Sequence, residues 1–77
     1  MALRFRQAAQ WDDWRGHHYR AAIESGHEPL GVIEGQGSRS SGMTYIARLD
    51  SLGEVLGPFW TLAACKSAVR QRLAVRP

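Results

Sequence analysis

Leu62, Cys65, Val69 and Leu73 recur at spacings of three, four and four residues near the end of a 77-residue chain. At about 100° per residue these four side chains fall on one stripe of a helix. Lys66 and Arg72 flank the stripe, whereas Ser67, Arg70 and Gln71 lie away from it. Thr61 stands where an N-cap hydroxyl can accept from the free amides of the first turn. The spacing therefore predicts a helix over residues 61–75. A single apolar stripe has to be buried against something. Several stretches of the remaining chain alternate with a period of two, so that something is a sheet.

The alternation is clearest in MTYIARLD, where Met43, Tyr45, Ala47 and Leu49 form one face and Thr44, Ile46 and Arg48 the other. HHYRAAIES alternates too, with Tyr19, Ala21 and Ile23 opposed to Arg20, Ala22 and Glu24. Trp11, Trp14, His18, Ala21 and Ala22 also fit a helical stripe ending at Gly26, but Gly16 and the adjacent histidines interrupt a helix at its middle, which favours the strand. SGHEP is turn chemistry, LGVIEG a short strand and DSLGE a hairpin connection. EVLGPF is a last strand that ends at Pro58 or lies at an edge, because proline cannot donate to a ladder. GQGSRSSG, residues 35–42, reads as a flexible arm. The first sixteen residues lack proline, and Phe5, Ala8, Ala9 and Trp11 would share one side of a short helix stopped by Gly16. The expected architecture is α+β, one domain: an N-terminal segment 1–16, an antiparallel three- to four-stranded meander over 17–60, and the C-terminal helix packed against it.

A chain of this length buries a core worth only about 3–5 kcal/mol unless a partner, metal or disulfide adds to it. The one cysteine, Cys65, excludes an internal disulfide. A reducing compartment, the cytoplasm, is the expected location, and self-association as a homodimer is open. MALRFRQAAQ lacks the apolar run of a signal peptide, and no stretch approaches the roughly 18 apolar residues that span a bilayer. Charge is uneven. Residues 1–54 carry six arginines against seven acids, whereas residues 55–77 carry Lys66, Arg70, Arg72 and Arg76 and no acid. Such one-sidedness favours an anionic surface.

Residues with chemistry to offer fall into three groups. WDDWRGHHY, residues 11–19, packs two carboxylates, two imidazoles and three aromatics together. His17 or His18 with Asp12 or Asp13 makes an acid–base pair on paper, and His17, His18 or His27 with Cys65 a metal set. Neither has a recognisable spacing, so no catalytic residue, metal or cofactor is assigned. Tryptophan, tyrosine and arginine are the side chains that most often carry interface energy. Trp11, Trp14, Arg15, Tyr19, Arg20 and Trp60 therefore read as a protein-binding patch. Arg39, Arg48, Lys66, Arg70, Arg72 and Arg76 form the alternative set, contacts to the phosphates of DNA or RNA. In that reading Arg39 tips the arm, while cations late in a helix also serve its dipole. Cys65, on the apolar stripe, reads as a small core residue.

YIARLDSLGEVLGPFWTLAACKSAV resembles the sheet-plus-helix of AP2 domains and of the amino-terminal DNA-binding domains of some integrases. Leu56, Gly57, Phe59, Thr61, Ala63, Ala64 and Ala68 carry the match, which covers about 25 of the 77 residues. The resemblance implies a sheet face that enters the major groove; on this chain the face offers Arg48 and Thr44. In size and style the chain is also similar to phage-encoded anti-CRISPR proteins. The leading expectation is a non-enzymatic protein that occupies the surface of a protein or ribonucleoprotein partner, as an inhibitor of a nucleic-acid-processing complex does. Direct nucleic-acid binding is the alternative.

Overall fold

A computed structural model of the protein describes residues 3–38 and 40–74. Five strands come first: β1 (Leu3–Asp13), β2 (Gly16–Ser25), β3 (Glu28–Ser38), β4 (Gly42–Leu49) and β5 (Glu54–Phe59). One helix, α1 (Leu62–Ala74), ends the described chain. The strands form a single antiparallel meander in chain order, leaving β1 and β5 at the edges. The α+β class stands, but the sheet has five strands rather than three or four.

The extra strand is β1, which replaces the helix expected over residues 1–16. Its register explains why the pattern misleads. Leu3, Phe5 and Gln7 pair with Ser25, Ile23 and Ala21 and face the helix. A bulge between Gln7 and Ala9 then inserts one residue, so Ala9 and Trp11 pair with Arg20 and His18 on the opposite face. An inserted residue breaks a period of two. It leaves Phe5, Ala8, Ala9 and Trp11 at intervals that imitate a helical stripe. The same hairpin settles residues 17–25 as strand, with Ala21 and Ile23 fully buried on the side that the alternation assigns to them.

The arm at residues 35–42 is also mostly strand: residues 35–38 belong to β3 and Gly42 to β4, with Ser40 and Ser41 in the turn between them. Its glycines are there for room. A Cβ on Gly35 would lie 2.6 Å from the Tyr45 ring, and one on Gly37 would collide with the Gly42 carbonyl oxygen on the neighbouring strand. Ser38 Oγ accepts from the Ser41 amide at 3.1 Å and lies 2.8 Å from Ser41 Oγ, which tightens the turn. Arg39 lies outside the described residues, as do Arg76 and the last residue of the expected helix.

Helix α1 begins as the sequence predicts. Thr61 Oγ1 accepts from the Ala64 amide at 3.1 Å, an N-cap bond. Cys65 and Val69 are fully buried among Ala21, Ile23, Leu30, Ile33, Ala47 and Leu49, with Leu62 and Leu73 packed at either end of the stripe. Leu30 joins the core because a second bulge, opposite Ile23 and Glu24, turns it inward. The sheet curls round the helix from both edges. Lys66 and Arg70 sit over the Phe5 ring of β1, 5.5 and 5.0 Å from its centre, while Arg72 makes two hydrogen bonds to Glu54 of β5 at 2.8 and 2.7 Å. Pro58 lies on the edge strand, beside the register slip between Leu56 and Phe59.

Strand β5 stops at Phe59, opposite Tyr45, and the chain turns back there into the helix. Beyond that level β2, β3 and β4 each continue for three residues: Gly16–His18, Gln36–Ser38 and Gly42–Thr44. At about 3.3 Å per residue this is a lip of bare sheet ~10 Å deep. Among the described residues no helix is long and apolar enough to cross a membrane.

Gly37→Ala should lower stability by about 1–3 kcal/mol, the usual range for overpacking. Ser40→Ala, in the turn, should be neutral. Urea denaturation followed by circular dichroism measures both; equal midpoints for the two variants would mean that the strands do not approach as closely as described.

Candidate functional site

The sheet face turned away from the helix carries a row of polar and aromatic side chains. Register sets the row: His18 pairs with Gln36 and Gln36 with Thr44, while Arg20 pairs with Glu34 and Glu34 with Ile46. Trp11, on β1, pairs with His18 and stacks on it, ring centres 5.0 Å apart and planes 12° from parallel. These side chains bound a shallow trough of ≈ 370 Å³, closed at its other end by Arg48. A second depression of ≈ 530 Å³ shares His18, Gln36 and Thr44 with the first and continues onto the lip, between Arg15, Ser38, Ser41 and Trp60. The two make one continuous groove.

Glu34 organises the trough. Its Oε2 accepts from Arg20 Nη2 at 3.1 Å, and its Oε1 lies 3.1 Å from Arg48 Nη2. The second contact is an ion pair outside hydrogen-bond geometry, so Oε1 is buried without a hydrogen bond. One carboxylate thus holds two guanidiniums, each about half exposed at 52 % and 53 %. The triad has a net charge of +1, and each arginine keeps N–H groups free for another acceptor.

The lip gathers the indoles. Trp14 stands at the β1–β2 turn, 89 % exposed, with the Arg15 guanidinium 5.2 Å from its ring centre. Trp60 follows β5 and is 77 % exposed, and Trp11 is 43 % exposed. The turn is shaped by Asp13, whose Oδ1 accepts from the Arg15 amide at 2.8 Å. Asp13 Oδ1 also lies 2.9 Å from His18 Nε2, and Asp12 Oδ1 lies 2.6 Å from His17 Nδ1. The hydrogen bond to His18 holds the Asp13 carboxyl below its ordinary value, and the bond from Arg15 adds to the effect.

Of the six candidate protein-binding residues, Trp11, Trp14, Arg15, Arg20 and Trp60 therefore lie on the lip or the open face. Tyr19 does not join them. It packs against the core on the helix side, edge-on to Tyr45 at 6.0 Å, and burial raises its phenol. The cations of the alternative set disperse. Arg48 is in the trough, Lys66 and Arg70 cover Phe5, and Arg72 is held by Glu54, whose carboxyl that hydrogen bonding lowers. The residue missed in the sequence is Glu34. An acid in register with Arg20 is visible only once the strand pairing is known.

The two His–Asp pairs form, His17 with Asp12 and His18 with Asp13, whereas the metal grouping comes apart. His17 and His18 each face an aspartate, but neither is hydrogen-bonded to a serine or cysteine among the described residues. His27 lies in the turn at the opposite end of β2, and Cys65 is buried under the sheet, where desolvation pushes its thiol up to about 11. Among the described residues no three His, Cys, Asp or Glu side chains converge to hold a metal ion. Comparison of the chain with protein-family models, with curated proteins and with solved structures finds no match.

Asp13 links the lip to pH. A carboxyl lowered in the folded state adds stability that is present above its unfolded value, near 3.8, and is lost as pH falls through the lower folded value. Asp13→Asn should therefore shallow the fall of Tm on acidification below about pH 4, read by thermal melts between neutral and acid pH. A variant whose acid limb parallels that of the parent would remove Asp13 from the account.

Proposed function

We propose that this chain is a non-enzymatic binding protein that occupies a surface of a macromolecular partner, using the lip and the open sheet face as its contact area. The observation that carries the reading is the placement of the tryptophans. All three in the chain lie on or beside the ~10 Å lip, and Trp14 and Trp60 are largely in water. Large indoles left exposed in a protein this small cost solubility and add nothing to its core. They contribute when a partner covers them.

A protein surface, alone or within a ribonucleoprotein, fits better than bare nucleic acid. Nucleic-acid affinity grows with the number of phosphates neutralised by free cations. Here Arg6 is paired with Glu24 and Arg72 with Glu54, Lys66 and Arg70 cover an aromatic ring, and the charge that Arg20 and Arg48 keep beside Glu34 is confined to one spot. A phosphate track would have to compete with those partners. Inhibition of a nucleic-acid-processing complex by occupation of its surface is compatible with this chemistry and remains the leading biological role.

Capture of the partner from the source cell, before and after nuclease treatment, identifies it. Affinity for the isolated partner is then compared between the parent and the Trp14→Ala and Trp60→Ala variants. At least one substitution should cost about 2 kcal/mol or more, the loss expected of an interface hot spot, with little dependence on salt. Unchanged affinity in both variants, or affinity falling steeply with salt, contradicts the reading.

A further inference from the structure

We propose that the groove receives an extended acidic peptide segment of the partner, with a carboxylate seated between Arg20 and Arg48; the inference rests on the protein-binding reading above. Three features lead to it. The first is charge. Glu34 prealigns two half-exposed guanidiniums and leaves the triad at +1, which one incoming carboxylate neutralises. Guanidinium forks and carboxylates match in bidentate geometry, so the N–H groups that Glu34 leaves free suit this ligand. The second is the sequence of side chains along the groove. On β4 the open face reads Arg48, Ile46, Thr44, a donor, an apolar residue and a donor, each two residues from the next. An extended peptide repeats with the same step of about 6.6 Å per two residues. An acid over Arg48 therefore places an apolar side chain over Ile46 and a polar one over Thr44 and Gln36.

The third is length and ending. From Arg48 to Gly42 the groove runs ~20 Å, the span of about six extended residues. It ends against Trp60 and Arg15, where an aromatic or second acidic side chain has a partner. Phosphodiesters fit less well, because they repeat a charge along the whole strand, whereas the groove places its arginine pair at one end.

The test uses three fluorescent probes: an eight-residue peptide with glutamate, valine and threonine at alternate positions and serine at every other one, the same peptide with glutamine for glutamate, and a single-stranded oligothymidine. Fluorescence anisotropy should show the glutamate peptide binding at least tenfold more tightly than the other two. Arg48→Met should weaken it at least tenfold. Arg48→Lys, which keeps the charge and the fold but loses the fork, should weaken it several-fold. Equal affinity for both peptides, preference for the oligonucleotide, or no binding of the glutamate peptide at millimolar concentration overturns the inference. If the Trp14 and Trp60 variants still lose the native partner in that case, the protein-binding reading survives and only the acidic-segment assignment fails.

Discussion

Everything in this molecule depends on Cys65 and Val69 seating in the concave face of the sheet. With so few fully buried side chains, the helix stripe and the inward residues of β2, β3 and β4 make up nearly the whole core. Burial of apolar side chains is worth about 1.5–3 kcal/mol each, so a core of this size has no redundant member. The seat also decides which surface is left over. A single 13-residue helix covers one face up to the level where β5 ends, and the opposite face and the lip stay bare. Folding thus uses one side of the sheet and leaves the other for the proposed contact.

What could be read beforehand was whatever obeys a simple period. The helix, its Thr61 cap and its buried stripe were legible because nothing interrupts their spacing. The same holds for the inward set of MTYIARLD. Interruptions hid the rest. One inserted residue near Ala8 disguised β1 as a helix, and glycines needed for close strand approach disguised the end of β3 as a loose arm. In both places a neighbouring strand, and not local composition, decides the structure. The proposed contact surface is partly legible for the same reason. Trp14 and Trp60 signal themselves by type, but Glu34 gains meaning only opposite Arg20.

The arginines show how little net charge says about use. The basic tail, read alone, suggests a field for phosphates. In the fold Lys66 and Arg70 shield Phe5 at one edge and Arg72 ties the other edge to the helix, so these cations close the curled sheet. Pairs of this kind at the surface contribute modestly to stability. Their larger consequence is that they leave the helix few free charges to offer a ligand. The arginines of the open face are braced too, but in a different manner, two to a single carboxylate, which retains a positive charge in the groove.

The helix side holds the fold, and we propose that the lip with the open face makes the contact. Nitrogen–proton NMR spectra of the labelled protein, titrated with its purified partner, test this most directly. The indole signals of Trp11, Trp14 and Trp60 and the amides of His18, Gln36 and Thr44 should shift or broaden, while the amides of Cys65 to Val69 stay in place. Perturbation concentrated on the helix, with the three indoles unmoved, would contradict it.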